Sequence, residues 1–268
     1  MKNEVTGYLG PEGTYSEIAA GKLCCDAVKQ AYPSFFTLFA ALKKGAVDSI
    51  VIPIENALNG AVTQNLDLLQ ETDGVYATCA CALKIDHRLV TVAGADKSKI
   101  TTVCSHAQAL AQCAKYLAEN FPDAKLIETP STADCIKKIS GATVAGIVGA
   151  HCKLQGFELT DRNISDVENN YTQFLKVVRG VPQGDKKSDR IFFSFTCRHR
   201  AGALVDLLTI LKDNGINMTE IESRPIKGKT GEFSFFIEAE GDYSEHRVKQ
   251  TLNKIEAAAL SYKLLGCY

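Results

Sequence analysis

Apolar residues follow two different rhythms along this chain. Between Val5 and Val178, short β-branched or apolar runs (Asp48 to Ile54, Thr101 to Cys104, Thr143 to Val148) alternate with stretches in which apolar residues recur every three or four positions. The second rhythm predicts helices over Thr14 to Cys24, Phe36 to Lys44, Ala61 to Gln70, Gln108 to Asn120 and Ala133 to Ser140. Two of these carry start signals, Thr14 with Glu17 three positions on and Ser131 with Asp134. Strands separated by helices predict an α/β architecture with largely parallel strands.

From Gly180 to Asp189 the periodicity stops, and Pro, Gly and charge take over, which predicts a domain boundary. Beyond it the pattern reads strand (Arg190 to Thr196), helix (Gly202 to Asp213), strand (Ile216 to Ser223), strand (Glu232 to Ala239), helix (Ser244 to Ala258) and strand (Leu260 to Cys267). That is βαββαβ, the ferredoxin-like order. The expected units are residues 1–181 and 189–268.

Composition narrows the partners more than the fold. At 268 residues with 46% hydrophobic content, the chain can fill the cores of two such units. A formal charge of -1, with no run of five or more Lys/Arg, argues against nucleic-acid and anionic-membrane partners. Met1-Lys2-Asn3-Glu4-Val5 lacks the apolar core of a signal peptide, and no apolar run is long enough to cross a bilayer, so a soluble cytoplasmic protein is expected. The ten cysteines include adjacent Cys24-Cys25 and near-adjacent Cys79 and Cys81, but no C-x-x-C pair, and the five histidines add no zinc spacing. Most of them read as small apolar core residues in a reducing compartment, with no metal site.

Candidate chemistry gathers at strand ends. Gly7 to Ser16 places a Gly-rich turn before a helix, where free N–H groups at Thr14, Tyr15 and Ser16 can hold an anion such as a carboxylate, or where Thr14 and Glu17 simply form a capping box. It is neither a P-loop nor a dinucleotide fingerprint. Glu55-Asn56 follows the run Val51 to Ile54, as a polar pair in a pocket or as a cap for the next helix. Ser105 can cap a helix, or form a polar stripe with Gln108 and Gln112 on one face. His106 has no Cys or Ser nucleophile motif beside it, which disfavours a hydrolase triad.

Taken together, Gly10-x-x-Gly13-Thr14-Tyr15-Ser16, Pro53-Ile54-Glu55-Asn56 with Gly60-x-Val62, Ser105-His106-x-Gln108-Ala109-Leu110 and Asn170-Tyr171-Thr172-x-Phe174 resemble the prephenate dehydratase family in order and spacing. Gly202-Ala203-Leu204-Val205 and Glu222-Ser223-Arg224-Pro225 resemble the ACT domain that senses phenylalanine in such enzymes. The resemblance covers essentially the whole chain. It implies two α/β lobes folded like a type II periplasmic binding protein, with the active site in the cleft between them, and conversion of prephenate to phenylpyruvate without a cofactor. It further implies Thr172 as the catalytic threonine, with Glu55, Asn56, Ser105 and Gln112 lining the cleft and Thr14, Tyr15, Ser16, His106, Asn170 and Phe174 about the substrate. L-phenylalanine is the expected effector, held by the two ACT motifs in a homodimer or homotetramer. Arogenate dehydratase and a catalytically silent phenylalanine sensor are the competing readings.

Four positions depart from the family pattern: Ala57 where Ser is usual, Ala107 and Ala201 where Pro is usual, and Gln173 where Arg is usual. If Tyr171 to Val178 is a strand, alternation sends Thr172 and Phe174 to one face and Gln173 to the other. Gln173 is then expected to tune the site, leaving an active enzyme with weakened substrate binding.

Overall fold

The computed structural model describes residues 4–152, 154–160, 162–182, 187–226, 228 and 231–268; residues 183–186 of the expected boundary lie outside them. The first part runs β1 (Val5–Leu9), α1 (Tyr15–Leu23), β2 (Val28–Tyr32), α2 (Phe35–Lys44), β3 (Ser49–Asn56), β4 (Gly60–Ala61), α3 (Thr63–Glu71) and β5 (Val75–Lys84). It continues through β6 (His87–Val92), β7 (Thr102–Ser105), α4 (Ala107–Gln112), α5 (Ala114–Asn120), β8 (Lys125–Glu128), β9 (Val144–Gly149), β10 (Phe157–Leu159) and β11 (Tyr171–Arg179). The remainder is β12 (Arg190–Thr196), α6 (Ala203–Asp213), β13 (Met218–Pro225), β14 (Phe233–Glu240), α7 (His246–Ala258) and β15 (Ser261–Cys267).

Two lobes share one plan. In the first, β2, β1 and β3 are parallel neighbours, and β11 runs antiparallel between β3 and β5. In the second, β8, β7 and β9 are parallel neighbours, and β6 runs antiparallel between β9 and β10. Each lobe thus admits one strand that has just crossed from the other. The parallel pairing expected of most strands holds for three strands of each lobe, and the crossing strands insert antiparallel and tie the lobes together.

β3 explains why this sheet is a core. Its sequence Ser49-Ile50-Val51-Ile52-Pro53-Ile54 is apolar on both faces, as a strand covered on both sides must be. Ile50, Ile52 and Ile54 pack with Leu38, Leu42, Leu66 and Leu69 of α2 and α3, whereas Val51 packs with Ala19 and Ala20 of α1, Tyr8 and Phe174.

Three helix expectations need correction. The stretch Gln108 to Asn120 breaks at Cys113 into α4 and α5, because Asp166 inserts there: its N–H donates to the Gln112 carbonyl at 2.8 Å, and its carboxylate accepts from the Lys115 N–H. The stretch Ala133 to Ser140 forms only a 3₁₀ segment, Asp134–Lys138. There the Cys104 thiol takes the Cys135 carbonyl, and the Ile139 N–H turns to Ile136 instead. The third helix begins at Thr63, not Ala61, since Gly60–Ala61 pairs with Glu55 and Asn56.

The C-terminal elements form an antiparallel sheet in the order β13-β14-β12-β15. Ile191, Phe193, Phe195 and Ile237 face α6 and α7 through Leu207, Leu211, Val248, Leu252 and Ile255. The opposite face packs against the first part of the chain: Phe192, Phe236 and Leu265 join the core of the first lobe. Lys263 completes this contact, donating to the carbonyls of Leu69, Gln70 and Thr72 at 2.9, 3.0 and 2.8 Å, where the end of α3 leaves acceptors unpaired. Lys263→Met is expected to cost about 1–3 kcal/mol in urea unfolding, because those carbonyls stay buried without a donor; an unchanged midpoint would remove this contact from the account.

Candidate active site

The ends of β3, β7 and β11 meet α1 and α4 around a cavity of about 290 Å³ between the lobes. Its polar lining holds no Asp, Glu, Lys or Arg and is made of Thr14, Tyr15, Ser16, Ser131, Thr132 and Thr172, the carboxamide residues Asn56, Gln108 and Gln112, and the histidines His87 and His106. Leu9, Pro53, Ile85, Ala109 and Phe174 supply the apolar part.

Asn56 is the pivot of this lining. Its Oδ1 accepts from the N–H groups of Leu58 and Asn59 (both 3.2 Å) and from Asn59 Nδ2 (3.1 Å), so its NH₂ must face the other way. There it donates to Thr172 Oγ1 at 2.9 Å, Asn170 Oδ1 at 2.8 Å and the Tyr171 carbonyl at 3.2 Å. The Thr172 oxygen is therefore an acceptor from the protein, which leaves its proton for whatever occupies the cavity. Asn170 in turn donates to Gln112 Oε1 at 3.2 Å, and His87 Nε2 meets the same oxygen at 2.9 Å.

At the mouth, α1 begins beside the cavity with Thr14 as its N-cap, accepting from the Glu17 N–H, while the Glu17 carboxylate accepts from the Gly13 N–H at 2.6 Å. The capping reading of this turn holds, and the same residues, Thr14, Tyr15 and Ser16, line the cavity. Gly13 adopts φ +84, a backbone conformation that disfavours any side chain. Tyr15 bridges the lobes, its hydroxyl donating to the Asp86 carbonyl at 2.7 Å and accepting from the Asp86 N–H at 3.0 Å; burial pushes its pKa up to about 12, so it stays neutral.

Residues 6–180 match the prephenate dehydratase family, and residues 191–257 match the ACT domain. The chain belongs to the prephenate dehydratase family. It is 35% identical over 268 residues to the bifunctional chorismate mutase/prephenate dehydratase of Pseudomonas aeruginosa, a match spanning 97% of this chain and 72% of that one. Its fold superposes on the prephenate dehydratase of Arthrobacter aurescens in complex with L-Phe with a TM-score of 0.89 at 26% identity, over 98% of this chain and 89% of that one. The Staphylococcus aureus prephenate dehydratase gives a TM-score of 0.82 at 26% identity, over 99% of both chains. The architecture is thus that of a two-lobed, type II periplasmic-binding-protein-like prephenate dehydratase region followed by an ACT domain.

Of the dehydratase residues named from sequence, Thr14, Tyr15, Ser16, Asn56, His106, Gln112, Thr172 and Phe174 line the cavity, and Asn170 stands buried behind it. Two others do not line it. Ser105 is fully buried and donates to the Ile147 carbonyl at 2.7 Å, pinning β7 to the body of its lobe. Glu55 points to the other side of β3, toward the ACT domain, because strand alternation cannot put Glu55 and Asn56 on one face; it acts electrostatically on Glu220 of β13. Gln173 also faces that way, as alternation predicted, and donates to Glu238 Oε2 at 3.1 Å. Its missing charge therefore bears on the domain interface and not on the cavity wall.

His87 was missed. A histidine preceded by Asp86 at the head of an apolar strand was the available signal.

Alternation also divides the second ACT motif. Glu222 and Arg224 share the face toward the dehydratase region, where Arg224 donates to both carboxylate oxygens of Asp67 on α3 (3.2 and 3.4 Å). Ser223 pairs with Phe235 on the α6 side, where Ala203 and Leu204 border a small cavity with Phe233 and Phe235. The second ACT motif is thus split between the two faces of its sheet, and only Ser223 of the residues just named shares the α6 side with the first motif, Gly202 to Val205. Among the described residues, no helix is long and apolar enough to cross a membrane.

Proposed function

We propose that this chain converts prephenate to phenylpyruvate, carbon dioxide and water, with Thr172 as the proton donor to the departing ring hydroxyl. The observation that carries this reading is the bond from Asn56 Nδ2 to Thr172 Oγ1, which fixes the threonine as acceptor on one side and donor on the other. As the ring carboxyl leaves as carbon dioxide, its bonding electrons enter the ring and the C–OH bond breaks on the far carbon. A proton delivered from the threonine hydroxyl converts hydroxide to water, and solvent restores the threonine. Aromatisation supplies the driving force, and such proton delivery contributes about 10²- to 10⁴-fold.

A lining without Asp, Glu, Lys or Arg suits a substrate with two carboxylates of which one must be lost. First-turn N–H groups at Tyr15 and Ser16 hold the carboxylate that stays, while an apolar surround of Pro53, Ile85 and Phe174 favours dispersing the charge of the one that leaves. Asn56, Asn170 and Gln112 orient Thr172, and His106 borders the substrate. Ser105 and Glu55 support the strands that carry these groups. We assign residues 1–181 to catalysis and 189–268 to regulation.

L-phenylalanine is the proposed inhibitor, bound by Gly202 to Val205 with Ser223 between ACT domains of a homodimer or homotetramer. Val205 stands 63% exposed beside that cavity, an apolar side chain for a second copy to cover. Any shift of β13 reaches α3 through Arg224 and Asp67, and α3 reaches the cavity wall through Asn65 Nδ2, which donates to the Pro53 carbonyl at 2.7 Å. Ten free cysteines, six of them outside the buried core, fit a reducing cytoplasm.

Phenylpyruvate formation from prephenate, with arogenate in parallel, tests the substrate. Turnover of prephenate above arogenate is the expected result. Preference for arogenate would move the assignment, and no turnover of either would leave a phenylalanine sensor in place of an enzyme.

A further inference from the structure

We propose that His87 is a positioning residue for the dehydratase reaction: its Nε2–H closes the far end of the carboxamide chain whose near end leaves the Thr172 proton free. The inference rests on the reading of Thr172 given above.

His87 opens β6 at the crossing between lobes and is only 4% exposed. Its backbone is fixed, with the N–H donating to Asn163 Oδ1 at 2.9 Å and the carbonyl accepting from the Ile164 N–H at 3.0 Å. From its ring the chain runs His87 Nε2 to Gln112 Oε1 (2.9 Å), Asn170 Nδ2 to the same oxygen (3.2 Å), Asn56 Nδ2 to Asn170 Oδ1 (2.8 Å) and Asn56 Nδ2 to Thr172 Oγ1 (2.9 Å).

A carboxamide has one donor end and one acceptor end, so such a chain has a polarity. At Asn56 the polarity is set by the backbone N–H groups of Leu58 and Asn59, which cannot invert. At the other end it depends on a ring that can carry its proton on either nitrogen. With the proton on Nε2, every link pairs a donor with an acceptor. With it on Nδ1, two lone pairs face each other at the Gln112 contact. Turning the Gln112 amide to relieve them would set its NH₂ against that of Asn170, whose own orientation Asn56 holds. Only the Nε2–H form completes the chain that Asn56 begins at Thr172.

Burial keeps the ring neutral, holding its pKa below the usual histidine value against the pull of the neighbouring Asp86 carboxylate, which Lys84 approaches at 3.5 Å. The same ring and the amide it meets carry two buried atoms with no hydrogen-bond partner, His87 Nδ1 and Gln112 Nε2. One is an acceptor and the other a donor, both on residues that line the cavity, so substrate or water within it can satisfy them.

Two measurements test the assignment. In ¹⁵N-histidine spectra of the intact chain at neutral pH, His87, identified by its loss in His87→Gln, is expected as the Nε2–H tautomer with a bare Nδ1. An Nδ1–H tautomer or a doubly protonated ring would overturn the proposal. In kinetics, His87→Leu is expected to lower kcat about 10- to 100-fold, the range for residues that orient another functional group, with KM nearly unchanged. His87→Gln, which carries an amide nitrogen to the place of Nε2, is expected to stay within about threefold of the parent. Equal losses in both variants would mean packing alone and would refute the role, as would a kcat unaffected in His87→Leu. Should the leucine variant fail to fold, the glutamine variant and the spectra still decide. A chain that turns over no prephenate defeats the function proposed above, whereas the tautomer reports on the carboxamide chain regardless.

Discussion

Thr172→Val is expected to lower kcat by about 10²- to 10⁴-fold, the usual worth of a positioned proton donor, while KM changes by less than about threefold. Valine matches threonine in shape but has no proton to give and no oxygen to accept the Asn56 amide. The fold should tolerate the change, because Asn56 Nδ2 keeps the Asn170 side chain and the Tyr171 carbonyl as acceptors. Thr172→Ser keeps the hydroxyl and should retain activity to within about tenfold, the loss reflecting a freer rotamer. Steady-state kinetics on prephenate, with thermal unfolding as the control for folding, separates these outcomes. A valine variant with most of its activity intact would take the hydroxyl out of the chemistry.

The second large effect is expected where the dehydratase region meets the ACT domain. Glu220 of β13 is pushed up to about 7, first by burial and then by the carboxylates of Glu55, Glu238 and Glu222. Glu238 is better served, accepting from Tyr268 Oη at 2.7 Å, Thr219 Oγ1 at 3.0 Å and Gln173 Nε2 at 3.1 Å, with Arg190 at 3.6 Å. An acid whose pKa rises on folding binds more protons folded than unfolded, so stability falls as pH rises from the unfolded value through 7 and is lowest above it. Glu220→Gln mimics the protonated form. It should add about 1 kcal/mol at pH 8 and nothing near pH 4.5, a figure reduced because the site is partly open to water. Gln173→Arg, which restores the charge usual in the family, should stabilise at pH 8 in the same sense by facing Glu238. Urea unfolding of both variants at the two pH values checks this; equal stability of variant and parent at pH 8 would show that the carboxylates do not share a strained interface.

How far the sequence foretold this molecule depends on how far away the deciding partner lies. Elements whose cores are local were legible: the βαββαβ order of the C-terminal part follows from the short apolar run Ile191 to Phe195 and helical spacing in α6 and α7, and the opposite facing of Thr172 and Gln173 follows from strand geometry alone. Features set by distant partners were not. Asp166 breaks the helix at Cys113 from some fifty residues away, and neither proline nor glycine marks the place. The neighbours Glu55 and Asn56 look equivalent as a polar pair, yet only Asn56 meets the cavity, because a strand sends them to opposite faces. Ser105 reads as a pocket hydroxyl until Ile147 claims it. Arg224 reads as part of an effector pocket until the packing of the ACT sheet on α3 delivers it to Asp67.

The most direct test of the account is a crystal structure with a prephenate analogue whose ring is saturated and cannot aromatise. The ring hydroxyl is expected within about 3 Å of Thr172 Oγ1, at hydrogen-bond distance, with the side-chain carboxylate at the first turn of α1. An analogue bound with its ring hydroxyl away from Thr172, or bound outside the cavity between the lobes, would contradict it.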